Sequence, residues 1–149
     1  MKIAVAADHG GYSLKATTIE LLRSMGHEVM DLGAHKLDPD DDYPDYARYV
    51  GQAIQHGQVQ RGILICGSGI GACVAANKLK SVRAGVCHDT YTAHQSVEHD
   101  NVNVLCIGAR VVGEAVALEL VRAFVAAEFS GDLRHLRRLE KVSAIEAAQ

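Results

Sequence analysis

The residues best placed to do chemistry lie in Ile65-Cys66-Gly67-Ser68-Gly69-Ile70-Gly71, directly after the most apolar stretch of the chain. Gly67, Gly69 and Gly71 let the backbone turn tightly and approach a ligand closely. The free N–H groups of a helix starting at Ile70 favour an anion there, and Ser68 adds a hydroxyl. A Cys at a strand end beside a helix N-terminus is in the setting where thiolates form. Three chemistries compete for this turn. Gly67-x-Gly69-x-x-Ala72 satisfies a loose dinucleotide fingerprint, with Asp89 as the acidic residue about twenty positions on. However, the turn follows the third predicted strand rather than the first. A cysteine phosphatase loop needs an Arg six residues after its Cys; here that residue is Ala72, so the guanidinium clamp is missing. The third reading makes Cys66 a base beside an anion-binding turn. Cys73, Cys87 and Cys106 fall inside predicted elements and read as small buried hydrophobes.

Other groups can converge on the same place. Asp8-His9-Gly10-Gly11 follows the first predicted strand, and Arg110 follows the fifth. Asp8 reads either as a ligand-facing carboxylate or as a cap for the next helix. Arg134 and Arg138 are four apart and share a helix face that can clamp a phosphate or simply meet solvent. Leu133, Leu136, Leu139 and Val142 mark another face of that helix, which needs something to pack on. His99 lies at the far end of its helix, on the wrong side of the sheet for Cys66. If it acts in the site, the simplest arrangement is one shared across a dimer. His27, His35, His56, His88, His94 and His135 carry no specific signal. Asp38–Asp42 reads as a solvated acidic turn.

The elements that must position these groups alternate along the chain. Strands are predicted at Lys2–Ala6, Glu28–Leu32, Gly62–Cys66, Arg83–Cys87 and Val104–Ile107. Helices are predicted at Tyr12–Met25, Asp45–His56, Ile70–Leu79, Thr90–Glu98, Gly113–Glu128 and Leu133–Ala147. This predicts one α/β domain over residues 1–149: a five-stranded parallel sheet covered on both faces, in three α/β/α layers. Ligands of such folds bind beyond the carboxyl ends of the strands.

Composition narrows the function. A chain of 149 residues with 48% hydrophobic content can bury a real core. The net charge of −3 gives no field for nucleic acid. No run of ~18 apolar residues predicts a membrane span. The first residues do not read as a signal peptide, and no CxxC pair offers a zinc site. The expectation is a cytoplasmic protein with reduced thiols.

Five segments together resemble the type B ribose-5-phosphate isomerases, a family that includes the galactose-6-phosphate isomerase subunits. They are Asp8–Gly11, Asp42–Ala47, Gly62–Gly71, Ala75–Lys78 and Gly108–Gly113. The resemblance implies a Rossmann-like α/β/α fold, a homodimer or tetramer, and interconversion of aldose and ketose sugar phosphates without metal or cofactor. It implies Cys66 as the proton-transfer base and His99 as the acid that helps open the furanose ring. Gly67, Ser68, Gly69, Ile70 and Gly71 would hold the enediolate oxygens. Asp8 would contact sugar oxygens and His9 the polar end of the substrate. Arg110, Arg134 and Arg138 would bind substrate, chiefly its phosphate, and Tyr43 would line the pocket. The implied pair is ribose 5-phosphate and ribulose 5-phosphate, with allose 6-phosphate, galactose 6-phosphate or a tetrose phosphate as alternatives. The competing class is a non-catalytic module that binds nucleotide or sugar phosphate. One departure stands out: the family usually has His-Asn-Asp where this chain reads His99-Asp100-Asn101. Asp100, at a substrate-binding position, brings a carboxylate in place of an amide.

Overall fold

A computed structural model describes residues 1–148. The chain alternates β1 (Lys2–Ala7), α1 (Tyr12–Ser24), β2 (Glu28–Asp31), α2 (Tyr43–Gln55), β3 (Arg61–Cys66) and α3 (Ile70–Ala76). It continues through β4 (Ala84–Val86), α4 (Thr90–Asp100), β5 (Val104–Gly108), α5 (Glu114–Ala126) and α6 (Leu133–Ala147). The strands form one parallel sheet in the order β2-β1-β3-β5-β4. Its central strands are apolar throughout because helices cover both faces.

The two-residue period of a strand divides the core cleanly. Ile3, Val5, Ile63, Ile65, Leu105 and Ile107 pack under α1, α4 and α5. Ala4, Ala6, Leu64, Cys66, Val104 and Cys106 pack under α2 and α3. The small Ala side chains and Gly62 let α2 sit close: a Cβ on Gly62 would run into Val50.

The fold matches the expected layers, with differences at element ends. Helix α3 stops at Ala76 rather than Leu79. Asn77 ends it by bonding both ways to Ala84, with Nδ2 donating to the carbonyl and Oδ1 accepting from the N–H, each at 2.9 Å. Helix α2 starts at Tyr43, two residues earlier than expected, because Pro44 needs no N–H partner in a first turn. Helix α4 runs on to Asp100, where Asn101 caps it in the left-handed conformation (φ 48°).

Helix α6 has the expected span but not the expected packing. Its only buried residue is His135. Among the described residues, most of the face marked as apolar stays exposed, with Leu133 86% and Val142 51% exposed and only Leu139 partly buried. Among the described residues, no helix is long and apolar enough to cross a membrane. No group of three or more His, Cys, Asp or Glu there is placed to hold a metal ion.

Candidate active site

Strands β1 and β3 are neighbours, but their chains leave for opposite faces, β1 into α1 and β3 into α3. That divergence opens a crevice at the carboxyl edge, where open α/β sheets bind ligands. The crevice here is a cleft of about 330 Å³ lined by Asp8, His9, Tyr43, Cys66, Ser68 and Arg110, among others. Two loops form its floor. They touch so closely that a Cβ on Gly10 would lie 2.8 Å from the Gly67 nitrogen.

Cys66 ends β3 and is buried. Gly69 adopts a left-handed φ of 80°, which a side chain resists. This turns its N–H back to donate to Cys66 Sγ at 3.1 Å. A donor aimed at sulfur stabilises negative charge there. Ile70 N–H donates to Ser68 Oγ at 3.3 Å. Two of the N–H groups expected to face a ligand are therefore engaged inside the turn. Arg110 is tied to the same turn, its N–H donating to the Gly67 carbonyl at 3.0 Å.

Asp8 is buried and does not cap α1. One of its oxygens accepts from the Gly10 and Gly11 N–H groups, at 2.8 and 3.2 Å. Burial pushes its carboxyl above the usual range, against the pull of those donors. Tyr43 stands over Gly71, where an added Cβ would meet the tyrosine ring at 2.7 to 2.9 Å. Gly71→Ala is therefore expected to lower kcat/KM by up to about a hundredfold, since misplacing a positioning group costs that much. Far-UV circular dichroism should be unchanged. Adding Tyr43→Ala should make the Gly71 change nearly silent, because neighbours that clash do not act additively.

The acidic loop differs from its reading as a solvated turn. The Asp41 side chain is only 9% exposed. It accepts from the His9 backbone N–H and from His9 Nδ1, both at 2.8 Å, and from the Tyr46 hydroxyl at 2.9 Å. Nothing in the local pattern marks Asp41 apart from Asp38, Asp40 or Asp42, because the His9 that singles it out is 32 residues away. His88 also gave no signal, yet its Nε2 accepts from the Gly108 N–H at 3.0 Å and steadies the end of β5.

Asp89 is used up as the N-cap of α4, taking Thr92 N–H and Thr92 Oγ1 at 2.7 Å each. That removes the acidic residue the dinucleotide fingerprint needs. Cys87 and Cys106 are buried as expected, but Cys73 is only half-buried. Its thiol is brought down to about 7, mainly by a hydrogen bond with Cys106.

His99, Asp100, Arg134 and Arg138 are not in the cleft. Helix α4 returns from the carboxyl edge, so His99 lies near the amino end of the sheet. One strand length, on the order of 15 Å, separates it from the edge that carries Cys66. There His99 stacks on His135, with ring centroids 4.2 Å apart and planes at 29°. Ser130 Oγ lies 2.6 Å from His135 Nδ1, while the buried His135 Nε2 has no partner among the described residues. Asp100 and Arg138 line one small pocket nearby, with Arg83. Asn101 takes the left-handed cap of α4, and its backbone carbonyl accepts from Arg83 Nε at 2.8 Å. The residues expected to act together thus lie at opposite edges of the sheet.

Known proteins are similar to this chain over nearly their whole length. Ribose-5-phosphate isomerase B of Escherichia coli is 43% identical over 145 residues, which is 97% of this chain and 96% of that protein. The structure of ribose-5-phosphate isomerase B from Clostridium thermocellum superposes with a TM-score of 0.96 at 44% identity, covering 99% of both chains. The Mycoplasma genitalium enzyme with bound ribulose-5-phosphate gives 0.94 at 40% identity, covering 99% of this chain and 97% of that one. The sequence model of the ribose/galactose isomerases matches residues 3–142. With the family model matching residues 3–142 and the fold superposing over 99% of the chain, it belongs to the ribose/galactose isomerase family.

Proposed function

We propose that this chain interconverts aldose and ketose sugar phosphates, with ribose 5-phosphate and ribulose 5-phosphate as its principal pair. The observation that carries this reading is the seat of Cys66. Its sulfur ends the central strand, is held by the Gly69 N–H, and opens on a cleft it shares with Asp8, His9 and Arg110. Aldose–ketose exchange needs one base to move a proton between C1 and C2. Cys66 takes the C2 proton of the open-chain aldose and returns it to C1, while the C2 hydroxyl proton passes to the C1 oxygen. The enediolate between these steps needs donors already in place. Gly67, Ser68, Gly69, Ile70 and Gly71 supply them, with the Gly69 and Ile70 N–H groups leaving their partners within the turn as needed. Asp8 binds sugar oxygens and Tyr43 closes the side of the cleft.

The remaining roles require a second copy of the chain. His99 opens the furanose ring, and Arg134 and Arg138 join His9 and Arg110 in holding the phosphate. Fixed cations far from the reacting carbons convert binding energy into positioning. A homodimer, or a tetramer built from such dimers, brings the amino-edge half-set of one subunit to the carboxyl-edge cleft of the other. The uncovered apolar face of α6 gives that contact its surface. The reading places the enzyme in the cytoplasm, in keeping with its free thiols.

A substrate panel tests the reading. Ribose 5-phosphate should give the highest kcat/KM among ribose 5-phosphate, allose 6-phosphate, galactose 6-phosphate and erythrose 4-phosphate. Preference for a hexose or tetrose phosphate would reassign the sugar and point to Asp100 as its determinant. Turnover of none of them would overturn the isomerase reading.

A further inference from the structure

We propose that Asp41 is the positioning residue for the phosphate end of the site: it holds His9 in the cleft as an oriented cation whose second N–H faces the substrate phosphate. This rests on the sugar-phosphate reading above. The geometry makes the argument. An ionised carboxylate only accepts, so His9 Nδ1, 2.8 Å from Asp41 Oδ1, must carry a proton. A neutral imidazole has one N–H, and Asp41 claims it. His9 Nε2 would then be a bare acceptor, repelled by phosphate oxygens. Only the imidazolium offers a second N–H. The Asp41 charge favours that form, so the residue that orients the ring also converts it into a phosphate donor.

The surroundings support the same state. The bond to Asp41 raises the His9 imidazole above its ordinary value, and the nearby Asp8 adds to this against the effect of burial. Burial alone would push the Asp41 carboxyl up, but the His9 backbone N–H, the His9 ring and the Tyr46 hydroxyl together bring it below its usual value. Tyr46, pushed up to about 12 by burial and by Asp41, stays a donor. Its O–H occupies the second Asp41 oxygen, so that oxygen is not presented to an incoming anion. The charged groups facing His9 are thus Asp41 from the 38–42 loop and Asp8 from its own turn, with Arg110 following β5 in the same cleft. A third contact fixes the backbone: the His9 N–H donates to the same Asp41 oxygen. A loop of about a dozen residues between β2 and α2, with no secondary structure of its own, is uncommon unless it serves a site.

The test uses Asp41→Asn in the full-length chain. Asn keeps an acceptor toward His9 and removes the charge. Nitrogen-detected NMR, with His9 assigned from the His9→Gln spectrum, follows the imidazole from pH 5.5 to 9. Steady-state kinetics with ribose 5-phosphate and binding of inorganic phosphate follow the consequence. In the wild type, His9 should stay cationic through neutral pH. In Asp41→Asn it should titrate near the ordinary value of about 6.5. KM at pH 8 should then rise about tenfold, the scale of one charge-assisted hydrogen bond, with kcat within about twofold. At pH 6 the two KM values should converge, and in a His9→Gln background Asp41→Asn should add nothing. A KM increase equal at pH 6 and pH 8 indicates a merely structural contact and overturns the proposal. So does a His9 titration that ignores the substitution. If the wild type turns over no sugar phosphate, the functional reading fails by itself. The NMR titration and the weakening of inorganic phosphate binding at pH 8 still decide the role of Asp41.

Discussion

Cys66→Ala is expected to reduce turnover of ribose 5-phosphate by about 10⁴-fold, the upper end of what one general acid–base group contributes. The reason is positional. Of the groups lining the cleft, Cys66 alone combines a seat on a rigid central strand with a backbone donor aimed at its reactive atom. Asp8 has one oxygen occupied by the Gly10 and Gly11 N–H groups, and His9 is held by Asp41. Neither ends the strand that leads into the glycine-rich turn, as the thiol does. The substitution removes one buried heavy atom, so the stability cost should be about 1 kcal/mol, as for deletion of one buried methyl group. Thermal denaturation checks this. Cys66→Ser separates shape from acidity: a hydroxyl fits the same space and accepts from the same Gly69 N–H, but ionises far less readily. It should be nearly as inactive as the Ala variant. An active Cys66→Ala protein removes the thiol from the mechanism.

Mixing two inactive proteins is expected to restore activity. A site that takes Cys66 from one subunit and His99 from the other is broken in both sites of a Cys66→Ala homodimer, and equally in a His99→Ala homodimer. A mixed dimer has one site with both changes and one with neither. Random exchange makes half of the dimers mixed, so recovery should approach about a quarter of wild-type activity, as two-fold symmetry requires. Ribose 5-phosphate is the substrate to use, because its furanose ring must open before the proton moves. Subunits should be exchanged under mild denaturant, and the mixed species verified by mass or by differential tags. If a single chain builds the whole site, verified mixed dimers show no recovery. Recovery is expected because α4 carries His99 a full strand length from Cys66. Bringing the two together within one chain would mean pulling α4 off the sheet that buries its Ala93 and Val97.

The pattern of residues along the chain carries the local part of this protein. Alternating apolar strands and amphipathic helices give an α/β sheet covered on both faces, because a strand buried on two sides must be apolar throughout. Strand-end turns are also legible. The loops after β1, β3 and β5 gather at one edge of a parallel sheet, so Asp8, His9, Cys66 and Arg110 could be placed together from their positions alone. The apparent mismatch of His99 was legible for the same reason, since a helix after a parallel strand must run back.

What lay beyond the sequence depends on distant partners. Asp41 looks like its acidic neighbours and becomes distinct only when the 38–42 loop folds onto the β1 turn and meets His9 and Tyr46. Asp89 satisfies a spacing rule for a dinucleotide, but the tertiary structure gives it to the first turn of α4. His135 lies among charged residues of α6 and is buried where it stacks on His99 and meets Ser130, both from outside its helix. Helical periodicity correctly identifies an apolar face on α6, yet periodicity does not say what covers it, and among the described residues most of that face stays exposed. Sequence patterns record which residues avoid water and which can turn. Which carboxylate meets which imidazole is decided by contacts between segments far apart in the chain, and only the folded structure contains them.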